Sequence, residues 1–181
     1  MLEEQLKEHS VLETERLLLR PVTMADAEAM FAYTSDIENT KWDFPANQTI
    51  EETKNVIEKI YLKSPLGRYG IVLKETSEFI GTIDLMNWSD EKQAEIGYII
   101  NKKFWGRGFA TEASAEILKL CFDILGFEEI HAFCAVQNPA SARVLEKIGM
   151  TEVERIPNDK QFNGQWVSSQ HFKMIKVNYL K

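Results

Sequence analysis

The residues with the most chemistry within reach are Trp105-Gly106-Arg107-Gly108-Phe109-Ala110-Thr111-Glu112-Ala113. They stand between a strand pattern and the strongest helical pattern in the chain. Glycines there let the backbone take conformations closed to other residues and let a ligand come close. The unpaired N–H groups that open the following helix form an anion site, strengthened by the helix dipole. Arg107 adds a cationic donor, and the fitting ligand chemistry is a phosphate or pyrophosphate. A Gly-x-Gly before a helix also serves as a plain tight turn. Two familiar phosphate motifs are excluded. The sequence has no Gly-x-x-x-x-Gly-Lys-Ser/Thr, and Thr111 stands where a Gly-x-Gly-x-x-Gly needs its third glycine.

Other candidates carry a structural and a chemical reading side by side. Asn138-Pro139 is a ready helix start, with Asn as the cap and Pro in the first turn. Ser141 then completes the cap, and both residues also face whatever binds at that helix end. In the strand pattern 93–100, alternation puts Glu95, Gly97 and Ile99 on one face and Ala94, Ile96, Tyr98 and Ile100 on the other. Glu112 suits the first turn of a helix. His131 alternates with Phe133 in a strand. Trp42, Trp88 and Trp166 fall near loops or strand ends, where Trp42 and Trp88 could line an acceptor cleft. Cys121 and Cys134 form no CxxC, and the three histidines have no zinc-ligand spacing, so no metal is expected.

Positioning these residues requires a mixed α/β domain. Residues 15–22 read as a strand. Thr23 and Thr49 start helices, each with an acidic residue three positions on as a capping-box partner, and 35–48 reads as a loop between them. Three strand runs follow at 69–75, 79–88 and 93–100, joined by polar turns at Thr76–Glu78 and Ser89–Lys92. A helix over 109–125 is closed by Gly126. Then come a strand at 129–136, a helix from Asn138 to Ile148, and strands at 151–156 and 166–177 separated by a polar loop. The order predicts one α/β or α+β domain over residues 1–181, with 1–12 as a loosely ordered extension.

At 181 residues, a single domain with a real core is expected. Lys+Arg total 21 against 28 Asp+Glu, a net charge of −7. That balance disfavours nucleic acid or anionic lipid as a partner. The first ten residues lack an apolar export region, and no stretch approaches a membrane span. A cytoplasmic location with reduced, buried cysteines is the expectation.

Taken in order, the opening strand LETERLLLRPV, then AEIGYIINKKFWGRGFATEA, then AVQNPASARVLEKIGM resemble the GNAT-fold N-acetyltransferases, in the branch of the ribosomal-protein N-terminal acetyltransferases RimJ and RimL. The resemblance covers nearly the whole chain. It implies a mixed, mostly antiparallel sheet of about six or seven strands, splayed at its centre and flanked by about four helices. It implies acetyl-CoA as co-substrate, with the pyrophosphate held by Trp105, Gly106, Arg107, Gly108, Phe109 and Ala110, and with Thr111, Asn138 and Ser141 also on the cofactor. Tyr98, Ile99 and Ile100 would pair their backbone with the pantetheine arm in the gap before the strand at 130–136. Three positions depart from the family pattern. Trp105 replaces a Gln or Arg, Met150 replaces a Phe, and Leu145 stands where many members have a tyrosine that protonates the leaving thiolate. The branch instead has a serine at the position of Ser141 as the proton donor. Within this sequence, Glu95, in the strand that carries the pantetheine contacts, is the candidate base, against the plain reading of a solvent-facing strand glutamate near a turn. The implied reaction is direct acetyl transfer to a primary amine. A protein or peptide N-terminus is favoured, and a small amine such as a polyamine, amino sugar or antibiotic comes second. Relatives are often homodimers. The alternative is a non-catalytic acyl-CoA-binding sensor or scaffold on the same fold.

Overall fold

The computed structural model describes residues 1–88, 92–162 and 164–179. Most of the expected turn at Ser89–Lys92 therefore lies outside the described residues, as does Asn163 in the expected last loop. The strands are β1 (Leu12–Glu13), β2 (Leu17–Arg20), β3 (Arg68–Leu73), β4 (Phe79–Met86), β5 (Gln93–Ile100), β6 (Glu129–Ala135), β7 (Thr151–Phe162) and β8 (Gln165–Ile175). They form one sheet of eight strands in the order β1-β2-β3-β4-β5-β6-β8-β7. Every pairing is antiparallel except β5 with β6, which run parallel over only three residue pairs, Gln93–Glu95 against Glu129–His131.

The helices are α1 (Leu2–Glu8), α2 (Ala27–Thr34), α3 (Ile37–Thr40), α4 (Ile50–Val56), α5 (Phe109–Lys119), α6 (Pro139–Lys147) and α7 (Lys176–Tyr179). Their starts follow local chemistry. Asp26 closes the expected capping box on Thr23, accepting from its N–H at 2.8 Å. At α4 the Thr49 hydroxyl accepts from Glu52 N, but the Glu52 carboxylate reaches back to Gln48 N (2.7 Å) rather than to Thr49. The sheet carries a core on each face. Leu17, Leu19, Ile71, Ile83, Ile96, Ile130 and Phe172 pack under α1, α5 and α6. Val22, Met30, Tyr33, Ile57, Tyr61, Val72 and Phe79 form the smaller core under α2 and α4.

Four elements differ from the sequence expectation. The first residues form α1 instead of a loose extension, because Leu6 is 1% exposed against the larger core. The loop 35–48 contains α3, whose cap is the Asp36 carboxylate accepting from Glu38 N and Asn39 N. The two-residue β1 extends the sheet edge and raises the strand count to eight. The polar stretch after Ile156 continues β7 to Phe162, pairing Lys160 with Val167 and Gln161 with Trp166 beyond a bulge. An edge strand tolerates such polar residues because one side faces water.

Candidate active site

The site lies where β5 and β6 part. Beyond Glu95 the two strands share no ladder, and a cavity of about 590 Å³ opens between the C-terminal end of β5, the start of α5 and the start of α6. Asn101 N donates to Ile80 O (2.8 Å). By the alternation of an antiparallel ladder, Ile99 and Gly97 then also face β4, so Tyr98 and Ile100 turn their amides toward the gap. The Ile100 carbonyl is already engaged, accepting from Trp105 Nε1 (2.7 Å) and Asn39 Nδ2 (3.1 Å). Asn39 Oδ1 in turn accepts from Lys102 N (2.6 Å), so this buried amide ties α3 to the end of β5.

The glycine turn follows at once. Gly106 and Gly108 sit at φ 72° and 80°, the left-handed region that side chains resist. A Cβ on Gly106 would meet nothing within 4 Å, so conformation and not crowding calls for glycine there. The first bond inside α5 is Glu112 N to Gly108 O (3.0 Å). The amides just before Glu112 therefore have no helical acceptor and point out of the helix end. Two guanidinium groups flank this end. Arg16 lies 4.5 Å and Arg107 4.8 Å from the centre of the buried Phe109 ring, and Arg16 Nη1 donates to Arg107 O at 2.9 Å. Bare amides and the helix dipole make this end a site suited to an anion.

Glu112 holds this arrangement to the β1–β2 turn. Its carboxylate accepts from Thr14 Oγ1 (2.6 Å), Arg16 N (2.9 Å) and Arg16 Nε (2.6 Å). Burial pulls its pKa up, but these donors outweigh it and hold the carboxyl below its ordinary value. A depressed pKa means stability present above the ordinary carboxylate value and lost as pH falls through the folded value. Glu112→Gln is expected to cost about 1–2 kcal/mol near neutral pH and to flatten the acid limb of the stability curve, read by urea unfolding from pH 3 to 7. Equal losses at every pH would rule the charge out.

At the closed end of the gap, Tyr98 Oη lies 3.0 Å from Ser141 Oγ and 3.0 Å from Ser141 O. Asn138 caps α6, its Oδ1 accepting from Ser141 N (3.2 Å), and Pro139 follows in the first turn. Burial raises the Tyr98 phenol pKa far enough to keep it protonated, against the opposing hydrogen bond of Ser141. Burial also pushes the Cys134 thiol up to about 11, so it stays a thiol at neutral pH and a poor nucleophile. Leu145, at the position of the family tyrosine, is 1% exposed in the core.

The cavity wall gathers Tyr98, Ile99, Ile100, Trp105, Gly106, Gly108, Phe109, Ala110, Thr111, Asn138 and Ser141, together with Trp42. Three expected site residues lie off that wall. Arg107 stacks on Phe104 and Phe109 at its edge. Trp88 is half-buried against the larger core. Glu95 sits where β5 and β6 are still paired, opposite Met86 and His131, with its Oε2 accepting from Asn87 Nδ2 (2.8 Å). Among the wall residues not singled out from sequence are Asn39 and Asp43. A charged residue between Trp42 and Phe44 in a loop was the available signal for Asp43.

The site is thus a gap where β5 and β6 part beside a glycine-turned helix start. Residues 16–151 match the family model described as Acetyltransferase (GNAT) domain. The chain is 33% identical over 171 residues to the uncharacterized N-acetyltransferase YoaA of Bacillus subtilis, covering 92% of this chain and 97% of that protein. It is 30% identical over 174 residues to the uncharacterized N-acetyltransferase p20 of Bacillus licheniformis, with 93% and 97% coverage. A GNAT-family acetyltransferase structure from Bacillus anthracis superposes with a TM-score of 0.84 at 28% identity, covering 92% of this chain and 99% of that one. The chain belongs to the GNAT acetyltransferase family, whose acetyl donor is acetyl-CoA. Among the described residues, no helix is long and apolar enough to cross a membrane.

Proposed function

We propose that this protein moves the acetyl group of acetyl-CoA directly to a primary amine in the cytoplasm, with a peptide or protein α-amine preferred over small amines. The observation that carries the reading is the continuous cavity from the α5 start, along the outward amides of Tyr98 and Ile100, to the Tyr98–Ser141 pair. Acetyl-CoA supplies an activated acetyl thioester. The amides from Gly106 to Thr111 hold its pyrophosphate, and the Tyr98 and Ile100 backbone aligns the pantetheine arm as an added strand would. The Ile100 N–H polarises the reacting carbonyl. Ser141, oriented by its Asn138 cap and by Tyr98, returns a proton to the departing sulfur. An α-amine is favoured because its pKa of about 7.7–8.0 leaves a useful neutral fraction, whereas a lysine-type amine near 10.4 leaves little. Similarity to the putative ribosomal N-acetyltransferase YdaF of Bacillus subtilis, 32% over 102 residues, supports the RimJ/RimL-like choice of acceptor.

Thermal unfolding with acetyl-CoA, CoA, ATP and NAD at equal concentration tests the donor site. A ligand at a hundredfold excess over its Kd stabilises by about 2.7 kcal/mol, a rise of about 5–10 °C at this size. A rise with acetyl-CoA and CoA alone is expected, followed by thiol release with a peptide α-amine ahead of spermidine and glucosamine. No rise at millimolar acetyl-CoA would sink the reading.

A further inference from the structure

The Tyr98–Ser141 pair serves the leaving sulfur and leaves open where the acceptor's own proton goes. An α-amine is mostly an ammonium below its pKa of about 8, so below that pH the reaction gains from a proton acceptor at the reacting end of the cavity. Glu95 is hydrogen-bonded to Asn87 and lies off the wall. Asp43 is on the wall of the main cavity beside Trp42, Tyr98, Asn138 and Ser141. It is also on the wall of a second, adjoining cavity of about 80 Å³ formed by Trp42, Phe133, Phe162 and Val167 with Lys160 and Ser169. Asp43 is thus the ionisable side chain shared by the two spaces, while Trp42 and Asn138 complete the junction. Its residue surface is exposed, and it lies on the concave walls that α3, β5, β6 and the β7–β8 hairpin contribute to the two cavities. Among the described residues its carboxylate has no hydrogen-bond donor from another side chain, in contrast to Asp26, Glu112 and Asp36, the last paired with Lys102.

Resting on the acetyl-transfer reading above, we propose that Asp43 is the acceptor-side catalytic carboxylate, which pairs with the substrate ammonium and takes its first proton. The smaller cavity then receives the short group next to that amine. At about 30 Å³ per liquid water it has room for two or three waters or a short side chain. The proton balance closes. R–NH₃⁺ gives one proton to Asp43, which passes it to solvent. The nitrogen lone pair forms the C–N bond to the acetyl carbon as the C–S bond breaks. The nitrogen's second proton replaces the one that Ser141 delivers to sulfur, so the products are R–NH–COCH₃ and the free thiol.

The surroundings of Asp43 suit this role. Enclosure pushes its carboxyl up to about 6, with Lys160 opposing. Facing it are Lys160 of β7, Tyr98 of β5 and Cys134 of β6, with Asp159 of β7 held to Ser169 (2.7 Å), while Glu38 and Lys41 near α3 and Arg143 and Lys147 of α6 also line the main cavity. Tyr98 and the Cys134 thiol are neutral across the working range, so Lys160 is the nearby charge that tunes Asp43.

The test is the pH dependence of kcat/KM for a Ser-Ala-Ala tripeptide, in wild type and Asp43→Asn, alongside the thermal shift given by CoA. Wild type is expected to rise near pH 6 and to level off above the amine pKa, where the amine is already neutral. Asp43→Asn should keep the CoA shift and lose activity by about 100-fold at pH 6.5. Its profile should become a single rise at the amine pKa, with the deficit shrinking above pH 8. An unchanged profile, or a loss equal at all pH values, overturns the proposal while leaving the donor site standing. Absence of a CoA shift in wild type overturns the donor reading instead. Should Asp43→Asn fail to fold, the ¹³C carboxyl resonances of wild type decide. A carboxyl titrating near 6 and shifting to lower pH with tripeptide plus CoA supports the proposal, and the lack of one ends it.

Discussion

Gly81→Ala is expected to destabilise the protein by about 4 kcal/mol, at the top of the range for single substitutions, and to weaken acetyl-CoA binding with it. Gly81 lies in β4, opposite Ile71 on one side and Ile100 on the other. A Cβ there would overlap the Ile99 carbonyl oxygen and approach the Ile100 Cα to 3.0 Å. Both are backbone atoms, so no rotamer change relieves the clash. The alternative is to part β4 from β5 at Ile99–Ile100, where β5 turns its amides to the cavity. The melting temperature should fall by roughly 10 °C or more, the urea midpoint should drop at unchanged slope, and the CoA-induced rise should shrink. Gly126→Ala is the control. Gly126 also has a positive φ of 70°, but nothing lies within 4 Å of its added Cβ, so its cost is expected near 1 kcal/mol. Equal losses in the two variants would mean that the close approach of β5 does not govern the effect.

What the sequence could show was local. Asn138-Pro139 announces a helix start because its cap and first turn need only neighbouring residues, and the cap forms as expected. The glycine turn was legible for the same reason, since positive φ at Gly106 and Gly108 is a property of the turn itself. The site's decisive pairings were not local. Tyr98 meets Ser141 across 43 residues, and nothing in either neighbourhood marks the partner. Asn39 looks like an ordinary loop amide until α3 docks against the end of β5 and hands it the Ile100 carbonyl. Asp43 gains its enclosure only because the β7–β8 hairpin continues through the polar residues to Phe162. Reading that stretch as a loop removed the wall that gives Asp43 its setting. Glu95 attracted attention because its strand carries the cavity amides. Strand alternation cannot say which end of β5 lies in the gap, and Glu95 lies at the paired end.

The Tyr98–Ser141 contact carries the other large effect. If Ser141 protonates the leaving sulfur, Ser141→Ala should lower kcat by about 100-fold and leave the acetyl-CoA thermal shift intact, because the helix cap survives. The Asn138 side chain bonds the Ser141 backbone N–H, which alanine keeps. Tyr98→Phe should cost less, about tenfold, because it removes the group that orients the serine and not the donor itself. The double variant should fall no further than Ser141→Ala alone, since residues acting as one unit are not additive. The burial of the Tyr98 phenol adds a sharper expectation. A phenol whose pKa is raised stays protonated throughout the accessible range, so Tyr98→Phe should scale the pH profile down without moving its rise near pH 6. In that respect it contrasts with Asp43→Asn, which should erase the acid limb. Three results would separate the roles: a serine that sets the rate, a tyrosine that sets the serine, and an aspartate that sets the pH dependence. Leu145 bears on why the serine is needed. It is sealed in the core at 1% exposure, so a proton donor at its position is ruled out, and the hydroxyl one turn earlier on the same helix is the one aimed into the gap. Full activity in Ser141→Ala would leave water as the donor and reduce the Tyr98–Ser141 contact to packing.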